Sequence, residues 1–119
     1  MDKEEMLRRF LNEGKGYIER GDAVQASEKL YKVAEESIKV LSQTCTSDIY
    51  EEAMKKGRWT TDLLFKAAEE MGREIRRYWD SAWTLHVQGF HEMKLNINSV
   101  RRRIEDIEEL VKFVENEVR

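Results

Sequence analysis

Proline is absent from this chain, and cysteine occurs once, at position 45. Without proline nothing forces a break inside a helix, so long uninterrupted helices are open to the sequence. A lone Cys45 excludes an internal disulfide and a cysteine metal cage, and its expected role is that of a small, semi-buried residue. There is no glycine-rich phosphate loop, no G-x-S-x-G elbow and no cysteine–histidine pairing, so nucleophilic catalysis has no footing. Glu-x-x-His motifs, which a di-iron bundle needs on two helices, are also missing. No apolar run approaches the ~20 residues that cross a bilayer. The opening Met1-Asp2-Lys3-Glu4-Glu5 lacks a basic-then-apolar leader, which makes a cytoplasmic location the expectation.

What is present is a strongly charged, helix-forming chain of 119 residues, sized for one domain and one core. Charged residues make up 38 % and apolar residues 40 %, with a mean hydropathy of −0.73. Heavy use of both charge signs is also a habit of thermophile proteins. The net charge of −3 is unevenly spread. Residues 1–72 carry 12 basic and 15 acidic side chains, residues 73–103 carry 7 and 3, and residues 104–119 carry 2 and 6. A basic middle beside an acidic tail favours antiparallel or intersubunit pairing over a nucleic-acid-binding field.

Apolar spacing predicts a helix over 2–20, with Met6, Phe10 and Tyr17 alternating with Leu7, Leu11 and Ile18. Gly14 and Gly16 weaken its middle, so the helix bends there or something packs close. Gly21 suits a helix end and Asp22 the next N-cap, and a two-residue connection makes the pair an antiparallel hairpin. The second helix, 23–43, places Ala26, Leu30, Val33, Ala34, Ile38 and Leu41 on one face. A faint likeness to a tetratricopeptide pair has no second copy at the repeat period, so a solenoid is rejected. Thr44 to Asp48 reads as a break, followed by a short helix over 49–56 ending at Gly57. Thr60 or Thr61 caps a helix over 62–71, Gly72 ends or kinks it, and a long helix runs over 73–90 before a turn at 91–98. In the last helix Ile97, Val100, Ile104, Ile107, Val111, Val114 and Val118 form an unbroken seam, widened by Leu110 and Phe113.

Both histidines and two of the three tryptophans fall between Tyr78 and Glu92. Trp79, Trp83, His86 and Phe90 share one α-helical face, with Ile75 and Ala82 beside them. Such a face serves either as an aromatic pocket with His86 as acid, base or ligand binder, or as a core or dimer seam. At ~100° per residue, His86 and His91 point about 140° apart, so one continuous α-helix does not present both to one metal. A helix ending near Gly89, with Glu92 adding an oxygen, would be needed, and no metal or other cofactor is expected. Arg76 and Arg77 on one helix, and Arg101, Arg102 and Arg103 on the next, form an anion site if two antiparallel helices bring them together. Otherwise Arg101 pairs with Glu105 and Arg102 with Asp106 along the helix.

The segments Ser27-Glu28-Lys29-Leu30-Tyr31-Lys32-Val33-Ala34-Glu35-Glu36, Leu63-Leu64-Phe65-Lys66-Ala67-Ala68 and Trp79 through Glu92 resemble the archaeal PaREP family, small proteins encoded by repeated elements in hyperthermophile genomes. The likeness spans roughly residues 20–95, and the Leu-His-Val-x-Gly-Phe-His-Glu stretch is its most specific part. That family is similar in turn to the HEPN helical bundles, which form dimers and serve as ribonuclease toxins or as partners of minimal nucleotidyltransferases. The ribonuclease signature, Arg-x4-6-His, does not transfer: the required positions hold Trp79, Asp80 and Ser81 before His86, and Thr84, Leu85 and His86 before His91.

The expectation is therefore a single all-α domain over 1–119, an antiparallel, HEPN-like bundle of four main helices plus a short one. Its expected role is a non-enzymatic interaction module, homodimeric through an aromatic and aliphatic helix face. Trp79, Trp83, His86, Phe90, Arg101 and Arg102 are its expected interface or binding residues. The rival is an HEPN-like ribonuclease using His86 or His91 with Arg76 or Arg77, or a nucleotide-binding partner subunit of a nucleotidyltransferase. Neither a membrane nor, on net charge, nucleic acid is an expected partner.

Overall fold

Side-chain oxygens open the helices where the sequence offers them. In the computed structural model, which describes residues 2–117, Asp2, Asp22, Thr60 and Asn96 accept from the backbone N–H of Glu5, Gln25, Leu63 and Ser99 at 2.8–3.2 Å. Each bond satisfies a donor that a helix start leaves unpaired. The elements are α1 (Lys3–Glu19), α2 (Ala23–Cys45), α3 (Ser47–Lys56), α4 (Thr61–Glu70), α5 (Arg73–Thr84), a π-helical segment (Leu85–His91) and α6 (Ile97–Glu117). The described residues contain no strand. The two short helices α3 and α4 stand where helices over 49–56 and 62–71 were expected. Val118, the last position of the expected seam, lies outside the described residues.

At the first connection Gly21 takes φ 73°, the Gly21 N–H donates to Ile18 and the Asp22 N–H donates to Tyr17, closing α1 as the sequence implied. The second expected break is narrower than the sequence suggested. α2 continues through Cys45 and only Thr46 leaves the helix, its backbone N–H still donating to the Ser42 carbonyl. Cys45 is exposed, not semi-buried.

α2 is the central rod, in contact with every other element. Its face of Ala26, Leu30, Val33, Ala34, Ile38 and Leu41 is buried as predicted. Ser27, Ser37 and Ser42 are buried as well. Ser27 and Ser37 stay satisfied by donating back to the carbonyls of Ala23 and Val33, each at 2.7 Å. Their small size lets neighbours approach α2 closely. Gly14 of α1 does so: a Cβ there would meet Leu30 Cδ2 at 2.8 Å, so close packing accounts for that glycine, whereas Gly16 faces open space apart from the end of Arg20.

The seam of α6 is absorbed inside the chain. Val100, Ile107, Leu110, Val111 and Val114 are buried, and Ile97, Ile104 and Phe113 pack at its margins. Trp79 is fully covered, with Phe65 5.7 Å and Tyr31 5.6 Å from it, centroid to centroid. Among the described residues only Met54, at 49 %, and Met93, at 67 %, are large exposed hydrophobics. Much of the apolar surface that motivated a homodimer is covered within the chain, while Phe65, Trp83, Phe90 and Phe113 stay half-buried. The acidic tail also finds partners within the chain: Glu115 takes Arg8 in a two-point contact at 2.6 and 2.8 Å, and Glu108 takes Lys15 at 3.1 Å. These pairs join α6 to α1, not to the basic middle.

The predicted helix over 73–90 is continuous but changes winding after Thr84. From Leu85 to His91 it is wound as a π-helix, with the Glu92 N–H donating to the Val87 carbonyl at 2.8 Å, an i→i+5 closure. Gly89 of this segment lies directly against α2. A Cβ there would sit 2.2 Å from Ser27 Oγ and 2.6 Å from Ser27 Cβ. Gly89→Ala in an ordinary helix would stabilise by ~1 kcal/mol, yet here it should destabilise by about 1–3 kcal/mol through overpacking. Adding Ser27→Gly should recover part of that loss. Urea denaturation of the wild type and both variants checks this, and an unchanged or higher midpoint for Gly89→Ala would contradict the close contact.

Candidate functional site: a histidine pair on the π-helical segment

The wider winding decides where the two histidines go. An i→i+5 helix brings residues five apart onto one side, so His86 Nε2 and His91 Nε2 stand 3.2 Å apart, with ring planes at 82°. The expectation that a continuous helix separates them is corrected: it holds for α-winding, and the backbone here is not α-wound. The same change breaks the predicted aromatic face. Trp79, Trp83 and His86 stay in a row, at centroid separations of 6.5 and 5.3 Å, while Gly89 takes the buried place and Phe90 turns to His91 at 5.1 Å.

α2 forms the opposite wall. Tyr31 stacks on the His86 ring, centroids 4.0 Å apart and planes at 21°. Glu28 Oε2 lies 3.7 Å from His86 Nδ1, beyond hydrogen-bonding distance, and that buried nitrogen has no other partner among the described residues. Glu28, Tyr31 and Glu35 recur at three and four residues along α2, which puts them on one face. Their spacing was available in the sequence; what they oppose was not. The side chain of His86 is about one-fifth exposed and His91 is exposed, so the notch is covered on one side and open on the other.

Burial, and next the neighbouring His91, push the His86 imidazole below its ordinary value, against a smaller opposing pull from Glu35. Burial also raises Glu28, with His91 pulling the other way, and raises Tyr31 well above the usual phenol range. At neutral pH the notch therefore holds a neutral His86 between a phenol and carboxylates. Among the described residues no arginine forms a hydrogen bond or ion pair with His86, His91, Glu28 or Tyr31.

The arginines expected at a site go elsewhere. Arg76 binds Asp80 at 2.9 Å and also Glu69, and Arg77 lies over the Tyr78 ring at 5.3 Å. Arg101 donates to Asn98 at 2.9 Å and Arg102 to Ser99 at 3.2 Å, in place of the expected Glu105 and Asp106. The antiparallel register of α5 and α6 explains the separation. Ser81 meets Arg103, and earlier residues of α5 meet later ones of α6, so Arg77 shares a cavity with Glu105, Asp106, Glu108 and Glu109. Glu92, the oxygen considered for a metal, turns to Lys94 at 3.8 Å. Among the described residues no group of three or more His, Cys, Asp or Glu is placed to hold a metal ion.

Helices alone, one of them locally π-wound over an imidazole pair, define a small all-α protein with a polar notch against its central helix. The comparisons with known proteins place it more narrowly: the profile of the archaeal PaREP1/PaREP8 family matches residues 2–111, and the chain belongs to that family. The match extends beyond residues 20–95, where the resemblance was legible. A crystal structure of a protein from Sulfolobus solfataricus is similar at 40 % identity and a TM-score of 0.86, covering 100 % of this chain and 98 % of that one. A solution structure of the same structural-genomics target matches at 40 % identity and 0.81, covering 99 % and 92 %. No curated protein matches. No helix among the described residues is long and apolar enough to cross a membrane.

In metal-free protein, an NMR titration of the ring signals should place His86 below the ordinary imidazole value of about 6.5. His91→Ala should move it part of the way back up. Because the unfolded chain then takes up the proton first, His86 stabilises the fold above that range and lowers stability as pH falls through it. An unshifted His86 in the wild type would remove the covered notch.

Proposed function

We propose that this chain is a non-enzymatic binding module with an HEPN-like arrangement of α1, α2, α5 with its π-helical extension, and α6, and that its recognition site is the His86–His91 notch. The single observation carrying this reading is the 3.2 Å approach of the two imidazoles on a locally π-wound backbone. π-helical turns have a poor intrinsic balance and recur at functional sites. Tyr31 and Trp83 supply aromatic walls, and Glu28 supplies negative charge.

The ribonuclease alternative needs a cation for the scissile phosphate beside the histidines. Arg76 and Arg77 are committed to carboxylates and to Tyr78, and Glu28 and Glu35 disfavour a polyanion at the notch. Incubation with single-stranded and structured RNAs should show no cleavage that depends on His86 or His91. Cleavage by the wild type that both His86→Ala and His91→Ala abolish would overturn the binding-module reading. With Trp79 and the centre of the α6 seam covered and Trp83 half-buried, sedimentation equilibrium should give a monomer, and a tight dimer would reinstate the association expected from the sequence.

A further inference from the structure

We propose that His86 and His91 chelate one divalent first-row transition-metal ion through their Nε2 atoms, an inference that rests on the notch being the recognition site and goes on to name the ligand. Two metal–imidazole bonds of about 2.0–2.1 Å, meeting at a right or tetrahedral angle, hold their nitrogens roughly 2.9–3.4 Å apart. The observed separation is 3.2 Å. The ring centroids are 4.4 Å apart, much closer than a head-on contact between the nitrogens would leave them. The two nitrogen axes are therefore inclined to each other, as two ligands of one ion require.

The surroundings fit the same assignment. A ligating histidine usually directs its other ring N–H to a carboxylate, which fixes the tautomer and raises the basicity of the ligating nitrogen. His86 Nδ1 is buried without a hydrogen bond, and the carboxylate oxygen of Glu28 is 3.7 Å away, so a shift of a few tenths of an ångström completes the pair. Stacking on Tyr31 holds the ring in that orientation. Exposure of His91 leaves room for water at the remaining coordination positions, which the protein does not fill because no third ligand stands ready among the described residues. Paired imidazoles with an open shell select copper, nickel, zinc or cobalt over magnesium and calcium, whose preference is for oxygen.

The test uses tag-free full-length protein, stripped with EDTA and titrated with Co2+, Ni2+, Cu2+ or Zn2+ in excess Mg2+, by calorimetry and, for Cu2+, by electron paramagnetic resonance. The expected result is one ion per chain, affinity rising from Co2+ through Ni2+ to Cu2+, and hyperfine structure from two equivalent nitrogens. His91→Ala, at an exposed position that leaves the core intact, should weaken binding at least tenfold. Glu28→Gln should weaken it about tenfold. His86→Gln is the companion variant, its fold checked by circular dichroism. Stoichiometric binding that His91→Ala leaves unchanged, or no binding of any of the four ions, would overturn the metal assignment. Histidine-dependent RNA cleavage is a separate readout that would remove the binding-module reading instead, so the two failures are distinguishable.

Discussion

The contact between Gly89 and Ser27 carries more of this structure than its size suggests. Ser27 is buried in the middle of the molecule, already donating to the Ala23 carbonyl, and the space above it admits a hydrogen atom but not a methyl group. A backbone seated that closely needs glycine on one side and a small residue on the other. Leu85 and Gly89 both face the core, the segment from Leu85 to His91 is π-wound, and the wider turn carries His91 round to His86. A bulkier residue at either position would push the segment outward, and the imidazole pair would lose its backing.

The central position of α2 gives the notch its chemistry. The same rod that buries Leu30, Val33, Ala34 and Ile38 on one side offers Glu28, Tyr31 and Glu35 on another. Tyr31 links the two roles, packing against Trp79 and Trp83 while it stacks on His86. An imidazole held between a phenol ring and a carboxylate, largely covered from water, remains neutral and keeps a lone pair for a ligand. That condition suits a cation better than a phosphate backbone, and the dispersal of the arginines onto Glu69, Asp80, Asn98 and Ser99 points the same way.

Charge pairing between helices followed register, not proximity in sequence. Basic residues 101–103 and 76–77 looked like a cluster because both fall in the positive middle of the chain. An antiparallel crossing between α5 and α6 instead sets Arg103 against Ser81 and turns Arg77 toward the acidic stretch of α6. Acidic residues further along α6 then reach Arg8 and Lys15 of α1. Exposed pairs of this kind contribute at most ~1 kcal/mol each, so they select which faces meet more than they stabilise the fold.

Periodicity alone determined the helices, most of their ends and nearly all of the core, because each depends on neighbours a few residues apart. Asp22 and Thr60 announced caps, Gly21 and Gly57 announced ends, and the seam from Val100 to Val114 announced a buried face. Family membership was likewise readable from local segments. Tertiary structure decided what covered each face: α6 and Trp79 found their cover within the chain, and the exposure of Cys45 followed from an extra half-turn of α2. It also decided the site. The rule of about 100° per residue set His86 and His91 on opposite sides, and it is the π-wound turn over Leu85–His91, seated against Ser27 from a helix some sixty positions earlier in the chain, that joins them.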